Sequence, residues 1–271
     1  LNVRSWNGRK LDKSETEVVL HRASAVKGSA RVNKSLLPEA QTLIALQKLT
    51  GEIRTFVYKR SAPWAEGMQI MQSSGYLDFM NDFRALKSKW DRLADQFVQE
   101  YPQLVSQAQI SLGTLFDPND YPDAADLRAR FSLEVRFMPV PTAADWRVDL
   151  GDEAIADLRA DVEKQVKAGQ EAAMRAVYER IFDVARKAHE RLSNPKAVFR
   201  DSLVENAVEL CELLPSLNIT NDPRVDKLRR VIETSIGKHT PKVLRTDANK
   251  RKKTADAMKQ VMDKMSGFYS N

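Results

Sequence analysis

Seven apolar residues, Tyr76, Phe79, Phe83, Leu86, Trp90, Leu93 and Phe97, recur at alternating steps of three and four. That spacing draws one continuous seam along an α-helix, and no strand or loop would use it. At a rise of ~1.5 Å per residue, a helix over residues 76–100 spans roughly 37 Å. A further step of four reaches Tyr101, and Pro102 then removes an intrahelical hydrogen bond and crowds the preceding turn. The pattern predicts one helix to about Glu100, then a kink or restart carrying Leu104, Val105 and Ala108. A second rod begins where Asp152 can cap a helix, and its stripe of Ile155, Leu158, Val162, Val166, Ala173, Val177, Ile181, Val184, Ala188 and Leu192 runs to about Ser193. Ile155, Val166, Val177 and Ala188 are each 11 residues apart, a period close to that of an unstrained helix, so this rod is nearly straight. Two rods this long cannot bury their stripes alone. They must pack on each other, on neighbouring helices or on another subunit.

The remaining elements are shorter. Leu1, Val3 and Ser5 alternate with polar neighbours, and Asn7-Gly8 supplies the positive φ angles of a tight hairpin turn, with a short second strand over residues 9–13. Residues 14–34 read as helix or loop. Pro38 fits the first turn of a helix carrying Leu43, Leu46, Leu49, Ile53 and Phe56 to about Lys59. Phe131, Leu133, Val135 and Phe137 alternate in the best strand of the chain, ended by Pro139 and Pro141. Residues 68–72 are a candidate third strand of the same sheet. Pro195 opens a helix that Pro215 stops, Asp222-Pro223 opens another that Gly237 closes, and a last helix runs from roughly Thr246 to Met265. The expected fold is mainly α (α+β). It is a long-helix bundle or hairpin with a small antiparallel β element from the N-terminus and residues 131–138.

Catalytic signatures are scarce. The chain holds no Gly-rich phosphate loop, no nucleophile elbow and no paired-histidine zinc motif. His21, His189 and His239 lack any partner spacing, and Cys211 lies beside Leu210 and Leu214 as a small buried hydrophobe would. Residues 117–123 (DPNDYPD) invite a calcium reading, but Tyr121 and Pro122 occupy positions where an EF-hand loop needs an oxygen ligand and a glycine. A solvated loop with helix-start chemistry accounts better for it. Asp145, Asp149, Asp152 and Glu153 gather before the second rod, where carboxylates favour the positive end of a helix dipole. No catalytic residue, metal site or cofactor is expected. A single cysteine excludes a disulfide framework, and no apolar run is long enough to cross a membrane. The first residue is Leu1, so further N-terminal residues are expected to precede it, and no signal-peptide pattern is visible.

Charge is distributed unevenly. The 271-residue chain has 43 Lys and Arg against 37 Asp and Glu, a net +6. Residues 221–271 hold 13 basic and 6 acidic residues, so the whole positive excess sits there while residues 1–220 are balanced. This divides the chain into a charge-balanced helical body with a small sheet (1–220) and a basic C-terminal helical region (221–271). Lys227, Arg229, Arg230, Lys242, Arg245, Lys250, Arg251, Lys252 and Lys253 are the candidate nucleic-acid-binding residues. Consecutive cations on a helix point in many directions, so they would give salt-sensitive phosphate contact without base readout. The alternative is a solvated helix face.

Three blocks carry a family resemblance: LNVRSWNGRKLD at the start, FSLEVRFMPVPTAADWRVDLGDE over residues 131–153, and FRDSLVENAVELCELLPSLNITNDP over residues 199–223. Together they resemble an uncharacterised bacteriophage and prophage family, domain of unknown function 3150, over most of the chain to about residue 235. The resemblance implies a phage-encoded protein acting in the host bacterial cytoplasm, and a MoxR/CobS-type AAA+ ATPase as a candidate partner. It supplies no active-site residues. The expectation is a non-enzymatic interaction protein, self-associating as a homo-oligomer, whose basic region contacts DNA, RNA or an acidic partner. The alternative is an adaptor or substrate-recognition subunit of that ATPase.

Overall fold

Both long stripes fold as helices, and the strands are short and few. The computed structural model describes residues 1–141 and 152–266. In chain order these form β1 (Asn2–Arg4), β2 (Arg9–Asp12), α1 (Lys13–Arg22), β3 (Val32–Ser35), α2 (Gln41–Lys59), β4 (Ala62–Ala65) and β5 (Met68–Ile70). There follow α3 (Tyr76–Leu112), α4 (Ala124–Leu127), β6 (Ser132–Glu134) and α5 (Asp152–Ser193). The last four are α6 (Ser202–Leu217), α7 (Pro223–Ile232), α8 (Pro241–Thr246) and α9 (Ala248–Ser266). The fold is mainly α with small antiparallel strand pairs. It divides into two packing units, residues 1–56 with 80–137 and residues 57–79 with 138–271. The charge boundary at residue 220 coincides with neither.

In the first unit the seam of α3 is the core. Phe83, Trp90, Phe97 and Tyr101 are buried, as are Leu43, Leu46, Leu49 and Ile53 of α2. Burial of the Trp90 ring is matched by a partner for its polar edge: Nε1–H donates to Thr50 Oγ1 at 2.8 Å. Pro102 neither kinks the chain into two helices nor ends α3, which runs on to Leu112. Buried Phe97 and Tyr101 before it and buried Ala108 after it hold both sides to one core, which outweighs the lost hydrogen bond.

The sheet differs from expectation. β1 pairs antiparallel with β6, with Val3 opposite Leu133, as anticipated. The Asn7-Gly8 hairpin does not form, because β2 pairs with β3 instead. Gly8 does take a positive φ of 63°. Between the strands, however, Trp6 packs on Phe97 and Tyr101, with ring centroids 6.0 and 5.8 Å away, and this contact separates β1 from β2. Only residues 132–134 pair in the 131–138 segment, since β1 offers three residues, and Phe137 is left exposed. The acidic loop is also not simply solvated. Asp117 and Asp123 cap short turns, accepting from the N–H groups of Asn119 and Ala125. Asp120 instead sits almost enclosed between the ammonium groups of Lys10 and Lys34, the latter at 2.7 Å. Burial raises its carboxyl, but the two ammonium groups outweigh that and the net shift is downward.

The second unit is built on α5. Its C-terminal half buries Val177, Ile181, Ala185, Ala188 and Leu192 against α6, α7 and α9. Toward the N-terminus, Leu158, Val162 and Val166 of the same stripe are only half-buried. The hairpin β4–β5 lies on α5, so residues 68–70 pair with β4 and do not join the sheet of β1 and β6. Trp64 of that hairpin rests on Gly169, where a Cβ would meet the indole at 2.7 Å. Asp222 caps α7 by accepting from the Arg224 N–H, with Pro223 at the first helical position. α6 begins at Ser202, later than Pro195 suggests, and Pro215 lies within its last turn. The expected final helix is α9; Asp247 stands at its start, its carboxylate accepting from the Lys250 N–H at 3.0 Å, and the short α8 precedes it. Asp145 and Asp149 lie outside the described residues, as do the side chains of Asp152, Glu153 and Ile155.

Candidate functional site

The nine cations singled out by charge all belong to the second unit, on α7, α8 and α9. Their surroundings separate them. Arg251 lies on the buried stripe of α9, one turn before Ala255 and two before Met258, and is only 8% exposed. Its guanidinium enters the C-terminal end of α5. Nη2 donates to the carbonyls of Arg191, Asn194 and Ala197 at 2.9, 2.6 and 2.8 Å, and Nε donates to that of Leu192 at 3.1 Å. The last carbonyls of a helix lack intrahelical donors and carry the negative end of its dipole, so a cation satisfies both needs at once. Arg251 is therefore a helix cap inside the protein and is removed from the phosphate-facing set.

Arg245 supports the same corner. It donates to the Phe199 carbonyl at 2.9 Å and pairs with Asp201. The guanidinium carbons of Arg245 and Arg251 lie 5.0 and 5.5 Å from the Phe199 ring centroid, within cation–π range. Arg229 pairs with Glu233 at 3.0 Å and Lys250 with Asp247 at 3.2 Å. The other five, Lys227, Arg230, Lys242, Lys252 and Lys253, are exposed and make no ion pair among the described residues. Lys227 and Arg230 stand three residues apart on the open face of α7. Lys252 and Lys253 project about 100° apart around α9. The structure thus joins Arg245 and Arg251 at one ring and leaves five cations facing outward.

The residues capable of covalent chemistry have structural partners. Cys211 is buried, its thiol is pushed up to about 11 by burial and then by Glu233, and Sγ lies 3.7 Å from the Arg229 carbonyl. His189 Nδ1 meets the Ala255 carbonyl at 2.9 Å, tying α5 to α9. Tyr178 donates to Asp222 at 2.7 Å, and Asp222 is pulled down to about 2, chiefly by hydrogen bonds from Arg224. No group of three metal-ligating side chains occurs among the described residues.

Charge counting passes over a second cationic place. The loop between α5 and α6, held by Arg251, borders a cavity of about 600 Å³ lined by the cations Arg186, Lys187, Arg191 and Arg200 together with one carboxylate, Glu190. None of these cations lies in residues 221–271. The acidic residues of the first 220 positions cancel them in any count, although Lys187 and Arg191 stand four apart on one face of α5. That spacing, read together with Arg200, was the available signal. Among family models, curated proteins and solved structures, the chain has no match.

Proposed function

We propose that this chain is a non-enzymatic phage interaction protein that binds nucleic acid through its phosphates, acting in the host bacterial cytoplasm. The observation that carries the reading is the set Lys227, Arg230, Lys242, Lys252 and Lys253, exposed and without an ion pair among the described residues. Cations that neither cap a helix nor neutralise a carboxylate contribute little to folding. On one unit they raise the local concentration of a polyanion. Their divergent directions suit contact with a flexible or wrapped backbone and do not suit base readout. Enclosure of Cys211 and the fixed position of His189 support a binding role over a covalent one. Self-association belongs to the same reading, with Leu158, Val162 and Val166 of α5 as the half-buried stripe it would use.

The experiment is a titration of labelled duplex and single-stranded DNA and RNA. Affinity should fall steeply between about 50 and 200 mM salt, with a log–log slope that counts the phosphates neutralised. Replacing Lys252 and Lys253 by Gln should flatten that slope by about two. Affinity indifferent to salt overturns the reading. Sedimentation with and without the ligand gives the stoichiometry and the protein's own assembly state.

A further inference from the structure

We infer that the cavity at the junction of α5 and α6 is a binding site for a phosphomonoester of the nucleotide class. It takes up the phosphate reading at a second place on the same unit, and rests on that reading for the chemistry of its ligand. Four cations and one carboxylate, Glu190, line the cavity, and the cations are not equivalent. Arg186 is already committed, its two terminal nitrogens held by Asp183 at 3.1 Å and Glu190 at 3.0 Å. Lys187, Arg191 and Arg200 are exposed, and their charged groups have no hydrogen bond or ion pair among the described residues. Three positive charges without an ion pair around one concavity attract an anion, and they suit a dianion better than a carboxylate. Guanidinium forks add bidentate geometry that matches phosphate oxygens.

The helix that follows the loop borders the cavity. α6 has 16 residues, and its first residue, Ser202, lines the wall. Its cap residue, Asp201, has helical backbone angles and makes no side-chain hydrogen bond to the helix's own N–H groups; its carboxylate pairs with Arg245. Arg251 positions the site from behind. Its bonds to the carbonyls of Arg191, Asn194 and Ala197 fix the loop that presents Arg200.

The rest of the lining argues for an organic phosphate and against a bare ion. Val198, 86% exposed, and Leu203 give apolar surface beside the cations, and Asn206 brings an amide. A volume of about 600 Å³ accommodates a nucleotide, in the range typical of small-molecule sites. The phosphate would take the cationic rim and the nucleoside the Val198 side.

The test is calorimetric titration of the full chain with adenosine 5′-monophosphate (AMP) and with adenosine. AMP should bind at least about tenfold more tightly than adenosine, and the paired substitution Arg191→Gln with Arg200→Gln should erase that preference. Lys252→Gln with Lys253→Gln should leave AMP affinity within about twofold while weakening polynucleotide binding, so the two readings fail separately. Equal affinity for AMP and adenosine, no binding of either, or full AMP affinity in the Arg191/Arg200 variant would each overturn the assignment. Competition with a short oligonucleotide then separates the sources of the phosphate. Displacement of AMP only by a 5′-phosphorylated strand assigns the pocket to strand ends, and no displacement by any strand assigns it to free nucleotides. Equal displacement by a 5′-hydroxyl strand overturns the phosphomonoester specificity.

Discussion

At the C-terminus of α2, Arg180 donates to the carbonyls of Tyr58, Lys59 and Ser61 at 2.9, 3.1 and 2.7 Å. At the C-terminus of α5, Arg251 does the same for Arg191, Leu192, Asn194 and Ala197. Both ends belong to the second unit, and both use a guanidinium fork to satisfy carbonyls that the helix itself leaves open. Beyond the cap they diverge. After α2 the chain turns at once into β4–β5, and Trp64 seals against Gly169. After α5 the chain forms an open loop, and three cations without partners surround the cavity beside it. Closing a helix end needs one arginine. The surplus at the second end is not required by the fold and is free to meet a ligand.

The largest expected effect tests whether the caps are structural. Arg251→Ala strips four carbonyls of a charged donor in a nearly closed corner and should cost about 2–4 kcal/mol in denaturant unfolding. Arg180→Ala, with three such bonds and more solvent, should cost less. Arg251→Lys should recover only part of the loss, because an ammonium group cannot fan across four acceptors. If Arg251→Ala melts like Lys252→Ala, the division between capping and idle cations is wrong.

Sealing at the α2 end is the next quantity. Gly169→Ala puts a methyl 2.7 Å from the Trp64 indole, closer than carbon atoms approach, so either the hairpin or α5 must shift. Alanine favours an isolated helix, yet here it should destabilise by about 1–3 kcal/mol. The paired change Gly169→Ala with Trp64→Ala should recover the clash component, and a double-mutant cycle reads that coupling.

Much of this was legible from residue spacing. The steps of three and four gave α3 and its buried Trp90 because a stripe has one way to be covered in a helix. The Asp222-Pro223 start of α7 was legible because a cap is local chemistry. Partner choice was not local. Asn7-Gly8 has hairpin chemistry, but the contact of Trp6 with Phe97, some ninety positions away, sends β2 to β3. The candidate site was half legible for the same reason. A run of cations announces charge, but Arg251 and Lys252 are neighbours in sequence with opposite surroundings, and only the packing of α9 on α5 separates them.

Acid response probes an engaged charge of a different kind. Asp222 caps α7, accepts from Tyr178 and binds Arg224, which together hold its carboxyl at about 2, below the usual value near 4. Its pKa is lower in the folded than in the unfolded chain, so this contribution is complete above about pH 4 and is lost as pH falls toward 2. Asp222→Asn should melt lower at neutral pH and show a flatter loss of stability between pH 4 and 2. Parallel acid profiles for the two proteins would show that the Tyr178–Asp222–Arg224 group contributes nothing to that slope.

The smallest effect is the most discriminating, because the comparison of the two helix ends requires it to be small. Replacing Lys187, Arg191 or Arg200 singly by Gln removes a charge that makes no ion pair among the described residues, so unfolding free energy should change by no more than about 0.5 kcal/mol. Where three like charges crowd one cavity, the sign should be toward greater stability at low salt, and the gain should shrink as salt screens their repulsion. Added AMP should reverse the order. The wild-type chain alone should gain melting temperature with AMP concentration, since only its native state holds a complete site. A loss of stability on neutralising any of the three, without ligand, would mean that these cations are part of what closes the α5 end, as Arg251 is.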